Sequence, residues 1–172
     1  MTFCVLCTGP SLTQAVVDAV RGMRVIAVNN AYEMSPWAEA LAANDMAWWK
    51  HNPQAKEFAG RKFSTNILSG VERVISSNVL TESCSGVLGL EVAKILGATR
   101  VLLLGVDFHG SHYFGEYTNG LKNTTDQRRK VHARQFEAWG KANKSIEVFN
   151  CTEGSALKCF PMARLEDLWL RY

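Results

Sequence analysis

The chain lacks an apolar run long enough to cross a bilayer, for which about 20 consecutive residues are needed, so no membrane span is expected. Its start also lacks the basic segment and long apolar stretch of a signal peptide, and it is therefore read as cytoplasmic. Proline is scarce, at 4 residues, and no Pro-, Gly- or Ser-rich linker, internal repeat or low-complexity tract divides the sequence. With 172 residues and 47% hydrophobic content, a single domain over 1–172 with a substantial core is expected. Neither sign of charge dominates: 19 Lys and Arg against 16 Asp and Glu leave a net charge of +3. That suits a small anionic ligand and gives little support for wrapping nucleic acid. A homo-oligomer is left open. The 5 cysteines (Cys4, Cys7, Cys84, Cys151, Cys159) contain one C-x-x-C and no second pair, so no zinc site is completed. Cys4 and Cys7 lie in a strand-like stretch, where side chains three apart face opposite ways, and the cysteines read as buried free thiols.

What is present is an alternation of strand-like and helix-like segments. Phe3–Leu6 reads as a strand and Leu12–Val20 as a helix; Arg24–Asn29 follows as a second strand. Trp37 to Asn44 reads as a short helix running into a third strand at Ala40–Ala43, with weaker strands at Phe63–Leu68 and Arg73–Ser76. Ser85–Leu96 is apolar on nearly every side, as a helix buried against a sheet would be. Arg100–Val106 is a continuous apolar run, the mark of a central parallel strand. Asp126–Ala142 reads as a helix, Ile146–Asn150 as a last strand and Leu165–Leu170 as a terminal helix. The pattern predicts an α/β, Rossmann-like parallel sheet with helices on both faces. Ligands of such sheets gather beyond the carboxyl ends of the strands. Polar residues fall there: Thr8-Gly9, Asn29-Asn30, Asn44-Asp45, Asp107 and Asn150.

Several of these ends carry chemistry. Cys7-Thr8-Gly9-Pro10-Ser11-Leu12-Thr13 reads as the first strand-to-helix turn, without a Walker lysine or the full three-glycine dinucleotide fingerprint. Gly9 would let a ligand approach the backbone, Pro10 suits a first helical turn, and Ser11 adds a hydroxyl beside free helix amides that favour an anion. Ser83-Cys84-Ser85-Gly86 is a second small-residue turn at a helix start, able to hold a phosphate or ribose or simply to cap the helix. Asn29 and Asn30 suit either a nucleotide or a left-handed turn. Asp45 suits either a ligand or the cap of the next helix. Gly105-Val106-Asp107-Phe108-His109-Gly110-Ser111-His112-Tyr113 is the densest stretch, placing a carboxylate, two imidazoles and a phenol on a loop. Asp107, His109, His112 and Tyr113 are thus the candidates for acid–base work. The H-x-x-H spacing lacks a third ligand, and no metal site is expected. His132, Phe136 and Trp139 share a helix face, which reads as structural; Arg128, Arg129 and Lys130 read as a solvated face or phosphate ligands. Trp48-Trp49 suits either base stacking or packing.

Taken in order, Thr8-Gly9-Pro10-Ser11-Leu12, Val28-Asn29-Asn30, Asn44-Asp45, and Ser85-Gly86 leading a helix into Leu104-Gly105-Val106-Asp107-Phe108 resemble the DUF115-like superfamily. That group includes the Campylobacter-type sialyltransferases of glycosyltransferase family 42 and the archaeal-type 6-hydroxymethylpterin pyrophosphokinases. Phage-encoded members of unassigned role are also similar, and the length and the ending Asn150-Cys151-Thr152 and Ser155-Ala156-Leu157 fit that branch best. The resemblance implies a cytidine nucleotide held by Gly9, Ser11, Asn29 or Asn30, Asn44, Ser85 and Gly86, without metal. His109 stands where the sialyltransferases have a tyrosine, and Leu121 where they have a general-base histidine. The loop over 108–125 is a short counterpart of their lid.

These readings together predict a nucleotide-dependent transferase, first a glycosyltransferase-like enzyme with a CMP- or other nucleotide-sugar donor. Pyrophosphoryl transfer from ATP to a pterin-like alcohol comes second; it would require Mg2+, for which Asp45 with Asp107 would be the ligands. A non-catalytic nucleotide-binding phage accessory protein is the alternative of another class.

Overall fold

A computed structural model describes residues 1–75 and 84–169; Ser76, Ser83 and Leu170 of the expected elements lie outside them. The elements are β1 (Thr2–Leu6), α1 (Gln14–Ala19), β2 (Arg24–Val28), α2 (Ala31–Met34), β3 (Ala40–Ala42), α3 (Met46–His51) and β4 (Arg61–Ser64). They continue with β5 (Glu72–Arg73), α4 (Ser85–Ile95), β6 (Arg100–Leu104), α5 (Asp126–Ala142), β7 (Glu147–Asn150) and α6 (Leu165–Trp169). The strands form one sheet in the order β5-β4-β3-β2-β1-β6-β7, and every neighbouring pair is parallel. The architecture is α/β and Rossmann-like.

The alternating side chains of the central strands build two cores. Phe3, Val5, Val28, Val101 and Leu103 pack with Leu88 of α4 and with Phe136 and Trp139 of α5. Cys4, Leu6, Ala27, Leu102 and Leu104 pack on the other face with Val17 of α1, Ala31 of α2 and Trp48 of α3. Because both faces are covered, β1 and β6 read as unbroken apolar runs. Each fully buried Leu, Ile or Phe among them contributes about 1.5–3 kcal/mol. Gly89 lets α4 lie close to the sheet, since a Cβ there would stand 2.8 Å from Val5 Cγ1.

Some boundaries differ from expectation. Helix α1 starts at Gln14, not Leu12, because Thr13 is its N-cap, accepting from the Val16 amide at 3.3 Å. Residues 9–12 instead form a turn closed by Leu12 N–H to the Gly9 carbonyl at 3.0 Å. Pro10 therefore precedes the helix. The helix before β3 is α2 at Ala31–Met34, upstream of the expected Trp37. Strand β4 ends at Ser64, where its hydroxyl takes the Asn66 amide at 3.2 Å and turns the chain. Helix α3 was given no bounds in the sequence reading, but Asp45 caps it, as one of that residue's two expected roles had it, accepting from the Ala47 amide at 2.8 Å. Cys4 packs on the second core and Cys7 against the first, as the strand spacing predicted, whereas Cys159 is exposed rather than buried. Among the described residues no helix is long and apolar enough to cross a membrane.

Candidate functional site

Adjacent strands β1 and β6 send the chain to opposite faces of the sheet. Helix α1, after β1, packs on the second core, and α5, after β6, on the first. A crevice opens where the two connections part, at the switch point where α/β sheets take ligands. Its volume is about 190 Å³. Thr8 and Gly9 after β1, Asn29 after β2, Ser85 and Gly86 at the start of α4, the loop after β6, and Arg129, His132 and Phe136 of α5 form its walls.

The floor is Gly105–Phe108, held from several sides. The Gly9 amide donates to the Gly105 carbonyl at 2.8 Å. The Val106 amide donates to Thr152 Oγ1 at 3.0 Å, and the Ser155 hydroxyl donates to the Val106 carbonyl. The Ala156 amide reaches the Asp107 carbonyl at 2.8 Å. Asp107 is 3% exposed, and its carboxylate accepts from the Ser11 amide at 3.2 Å and the Ser11 hydroxyl at 2.8 Å. Gly9 is a glycine because a Cβ would overlap Asp107 Oδ2 and stand 2.6 Å from the Gly105 carbonyl. This corrects the phosphate cradle expected at residues 7–13. The amides of Gly9 and Ser11 are engaged within the protein, and α1 begins too late to offer its own.

Strain collects in the same place. Asn29 (φ 48°) and Phe108 (φ 60°) are the non-glycine residues in the left-handed region among those described, and both line the cleft. Asn tolerates that conformation, whereas a bulky Phe there is held against its preference. The Phe108 ring meets Phe136 edge-on, with centroids 5.7 Å apart. The Asn29 amide is anchored to the Ala42 carbonyl at 3.1 Å, while its side-chain Oδ1 is buried with no hydrogen-bond partner. A buried polar atom without a partner is unfavourable unless a ligand or water meets it.

The expected site residues divide into two groups. Gly9, Asn29, Ser85, Gly86, Asp107, His109 and His112 meet at the cleft; Pro10, Ser11, Asn30, Asn44, Asp45 and Tyr113 do not line it. Asn30 Oδ1 accepts from Trp48 Nε1 at 2.7 Å and from the Tyr117 hydroxyl at 3.0 Å, and its amide donates to Glu33 at 2.9 Å. Asn44 Oδ1 accepts from the Thr65 hydroxyl, and the Asn44 backbone N–H donates to Ser85 Oγ at 3.0 Å. Tyr113 donates its hydroxyl to the Asn30 carbonyl at 2.9 Å, and burial pushes its ionisation up. Trp48 and Trp49 are buried edge to face at 5.1 Å, so they pack and do not offer a stacking surface.

Sequence reasoning left Thr8 and His132 out of the site and read Arg129 as either a solvated face or a phosphate ligand. Arg129 and His132 join Phe136 on the α5 face turned to the cleft; the spacing of His132 and Phe136 was legible but was assigned to packing. Arg129 reaches the Gly110 carbonyl and Asp126, tying α5 to the loop. Its position in the first turn of a helix is unfavourable to a cation, and the ion pair with Asp126 offsets that cost. Cys7 and Cys84 also line the cleft. Burial pushes the Cys7 thiol up, and Cys84 up to about 11 despite the amides of Val87 and Gly86. Neither is a thiolate at neutral pH. No group of three or more His, Cys, Asp or Glu side chains is placed to hold a metal ion among the described residues.

No protein-family model matches the chain. No curated protein matches it either. A solved structure, the MAf glycosyltransferase from Magnetospirillum magneticum AMB-1, is similar in fold, with a TM-score of 0.67 at 13% sequence identity. The match covers 94% of this chain and 33% of that one, so the chain spans about a third of that protein's length.

Proposed function

We propose that this cleft binds the phosphate-bearing end of a nucleotide sugar, and that the protein is a nucleotide-dependent transferase of the glycosyltransferase type. The observation that carries this reading is the convergence of Asn29, Ser85, Gly86, Arg129 and three histidines on one strained cleft at the switch point. The start of α4 and the Arg129 guanidinium favour an anion, and the unpartnered Asn29 oxygen can take a ribose hydroxyl or base amine. A histidine then accepts the proton of an acceptor hydroxyl as the sugar leaves its phosphate. The fold likeness to a glycosyltransferase and the order of motifs shared with the DUF115-like superfamily support the same class. Ligand pockets commonly measure about 300–1,000 Å³, so a nucleotide sugar requires the loop over the cleft to shift outward.

The pyrophosphokinase reading has less support from its two candidate metal ligands. Asp45 caps α3 away from the cleft, and the Asp107 oxygens are engaged by Ser11. The non-catalytic reading is favoured by Leu121, which takes the place of the sialyltransferase histidine and packs into the second core.

Titration calorimetry with CMP, CDP, UDP-sugars and ATP with magnesium tests the proposal. Binding of a nucleotide or nucleotide sugar without magnesium is expected, weakened about tenfold or more in Arg129→Ala through loss of a charge-assisted contact. Binding of ATP with magnesium alone would favour the pyrophosphokinase, binding without turnover the accessory protein, and no binding would reject the cleft as a nucleotide site.

A further inference from the structure

We infer that His112, not His109, is the general base of this cleft, and that Thr8 at the end of β1 is the residue that positions it. The inference rests on the transferase reading above and assigns its proton acceptor. Thr8 is 8% exposed, and its hydroxyl lies 2.9 Å from His112 Nδ1. Its carbonyl accepts the Tyr113 amide at 2.9 Å, so one residue grips both the imidazole and the main chain that carries it. The ring lies parallel to Phe114, with centroids 4.8 Å apart and 8° between planes, and meets Tyr117 at 4.8 Å and 59°. Backbone bonds between His112 and Gly115 at 3.2 and 2.9 Å close the turn beneath it. His109 has none of this support; it is exposed at the cleft mouth.

The base assignment fixes the tautomer. Thr8 Oγ1 at Nδ1 can accept a ring proton or donate to a ring lone pair. A base at Nε2 takes the first arrangement: Nδ1–H donates to Thr8, and the Nε2 lone pair is left for the acceptor hydroxyl, since Nε2 has no hydrogen-bond partner among the described residues. Burial lowers the proton affinity of His112, the Arg129 charge lowers it further, and the Thr8 carbonyl offsets part of both. The other titratable groups lining this cleft are Glu116 on the loop, His132 on α5, Asp107 and His109 after β6, and the thiols Cys7 and Cys84, with Tyr117 against the ring itself. The imidazole is thus neutral at pH 7. In the transfer step the acceptor oxygen bonds to the anomeric carbon and its proton passes to His112 Nε2. The bond from that carbon to the donor phosphate breaks, its electron pair leaves on the nucleotide, and the imidazolium then releases its proton to water.

Two measurements on the full chain test this. Long-range 15N–1H NMR of the histidines, without ligand, is expected to show His112 protonated at Nδ1, titrating below the ordinary value of about 6.5. Thr8→Val should shift it toward the Nε2–H form, and Thr8→Ser should restore the wild-type tautomer. A wild-type Nε2–H form, or a tautomer indifferent to Thr8→Val, overturns the positioning role without any need for a substrate. The second measurement is nucleotide release from the donor that binds in calorimetry. His112→Gln should lower kcat by about 10²–10⁴-fold, the usual contribution of a general base, with KM little changed. Thr8→Val should lower kcat less, and Thr8→Ser should recover it. Full turnover in His112→Gln overturns the base while leaving the transferase reading intact. Failure of every donor to bind overturns the transferase reading and the catalytic assignment with it, and the NMR result then stands alone as a statement about the Thr8–His112 pair.

Discussion

Two polar neighbourhoods at the carboxyl edge of the sheet have opposite fates. Around Asn30, Asn44 and Asp45, after β2 and β3, polar groups find partners inside the protein: two aromatic donors on Asn30, Ser85 and Thr65 on Asn44, the Ala47 amide on Asp45. Around Asn29 and His112, which line the cleft, an Asn29 oxygen is buried without a hydrogen-bond partner and a His112 ring nitrogen has none among the described residues. The first corner holds the loop after β6 in place through Tyr113 and Tyr117; the second is what that loop encloses. Satisfied polar groups stabilise a fold and unsatisfied ones keep capacity for a ligand, so the two corners should respond differently to substitution.

The largest effect is expected in the brace between them. In Gly9→Ala the new methyl overlaps the Asp107 carboxylate that holds Ser11, and a loss of more than about 3 kcal/mol is expected by urea denaturation. A small loss would show that the floor yields. Asn30→Ala should cost about 2–3 kcal/mol, because the Trp48 indole and the Tyr117 hydroxyl lose a shared acceptor. If stability hardly changes, the satisfied corner is not what secures the loop.

His112 sharpens the contrast through pH. Its folded proton affinity is lowered, so the unfolded chain binds the proton more readily. Its contribution is complete above the unfolded value of about 6.5 and declines as pH falls through that value toward the lower folded one. Denaturation midpoints at a series of pH values should show this decline in the wild type and lose that component in His112→Gln. The smallest stability effect is expected in Asn29→Gly. Glycine takes φ 48° without strain and no bond is lost, so stability should stay within about 1 kcal/mol. Nucleotide affinity should nevertheless fall about tenfold with the carboxamide gone. Equal losses of stability in Asn29→Gly and Asn30→Ala would erase the distinction between the corners.

Much of the fold was legible because its signals are local or periodic. The apolar runs of β1 and β6 are long, and the α5 span Asp126–Ala142 coincides with its expected bounds. Two short helices, α2 and α3, were not placed, although α1 and α6 of similar length were read. Both follow directly on polar strand ends, which read as candidate ligand contacts, and Trp48-Trp49 is a buried pair in α3 rather than a surface for a base. At the site, the sequence indicated which strand ends are polar but not which polar atoms remain available. Ser11 looked like part of an anion cradle until Asp107, nearly a hundred residues away, was found to take both its amide and its hydroxyl. Arg129 read as a solvated face or a phosphate ligand and His132 as core, and α5 turns both to the cleft.

By itself, then, the sequence determined an α/β chain with a central parallel sheet, because burial on both faces demands continuous apolar strands and polar residues only at their ends. The tertiary structure alone decided which of those ends form a site. Hydrogen-bond partnerships such as Asp107 with Ser11, Asn30 with Tyr117 and Thr8 with His112 join residues far apart in the chain. No local pattern encodes whether such a partner arrives, and its arrival separates a polar group that braces the fold from one that is free to meet a ligand.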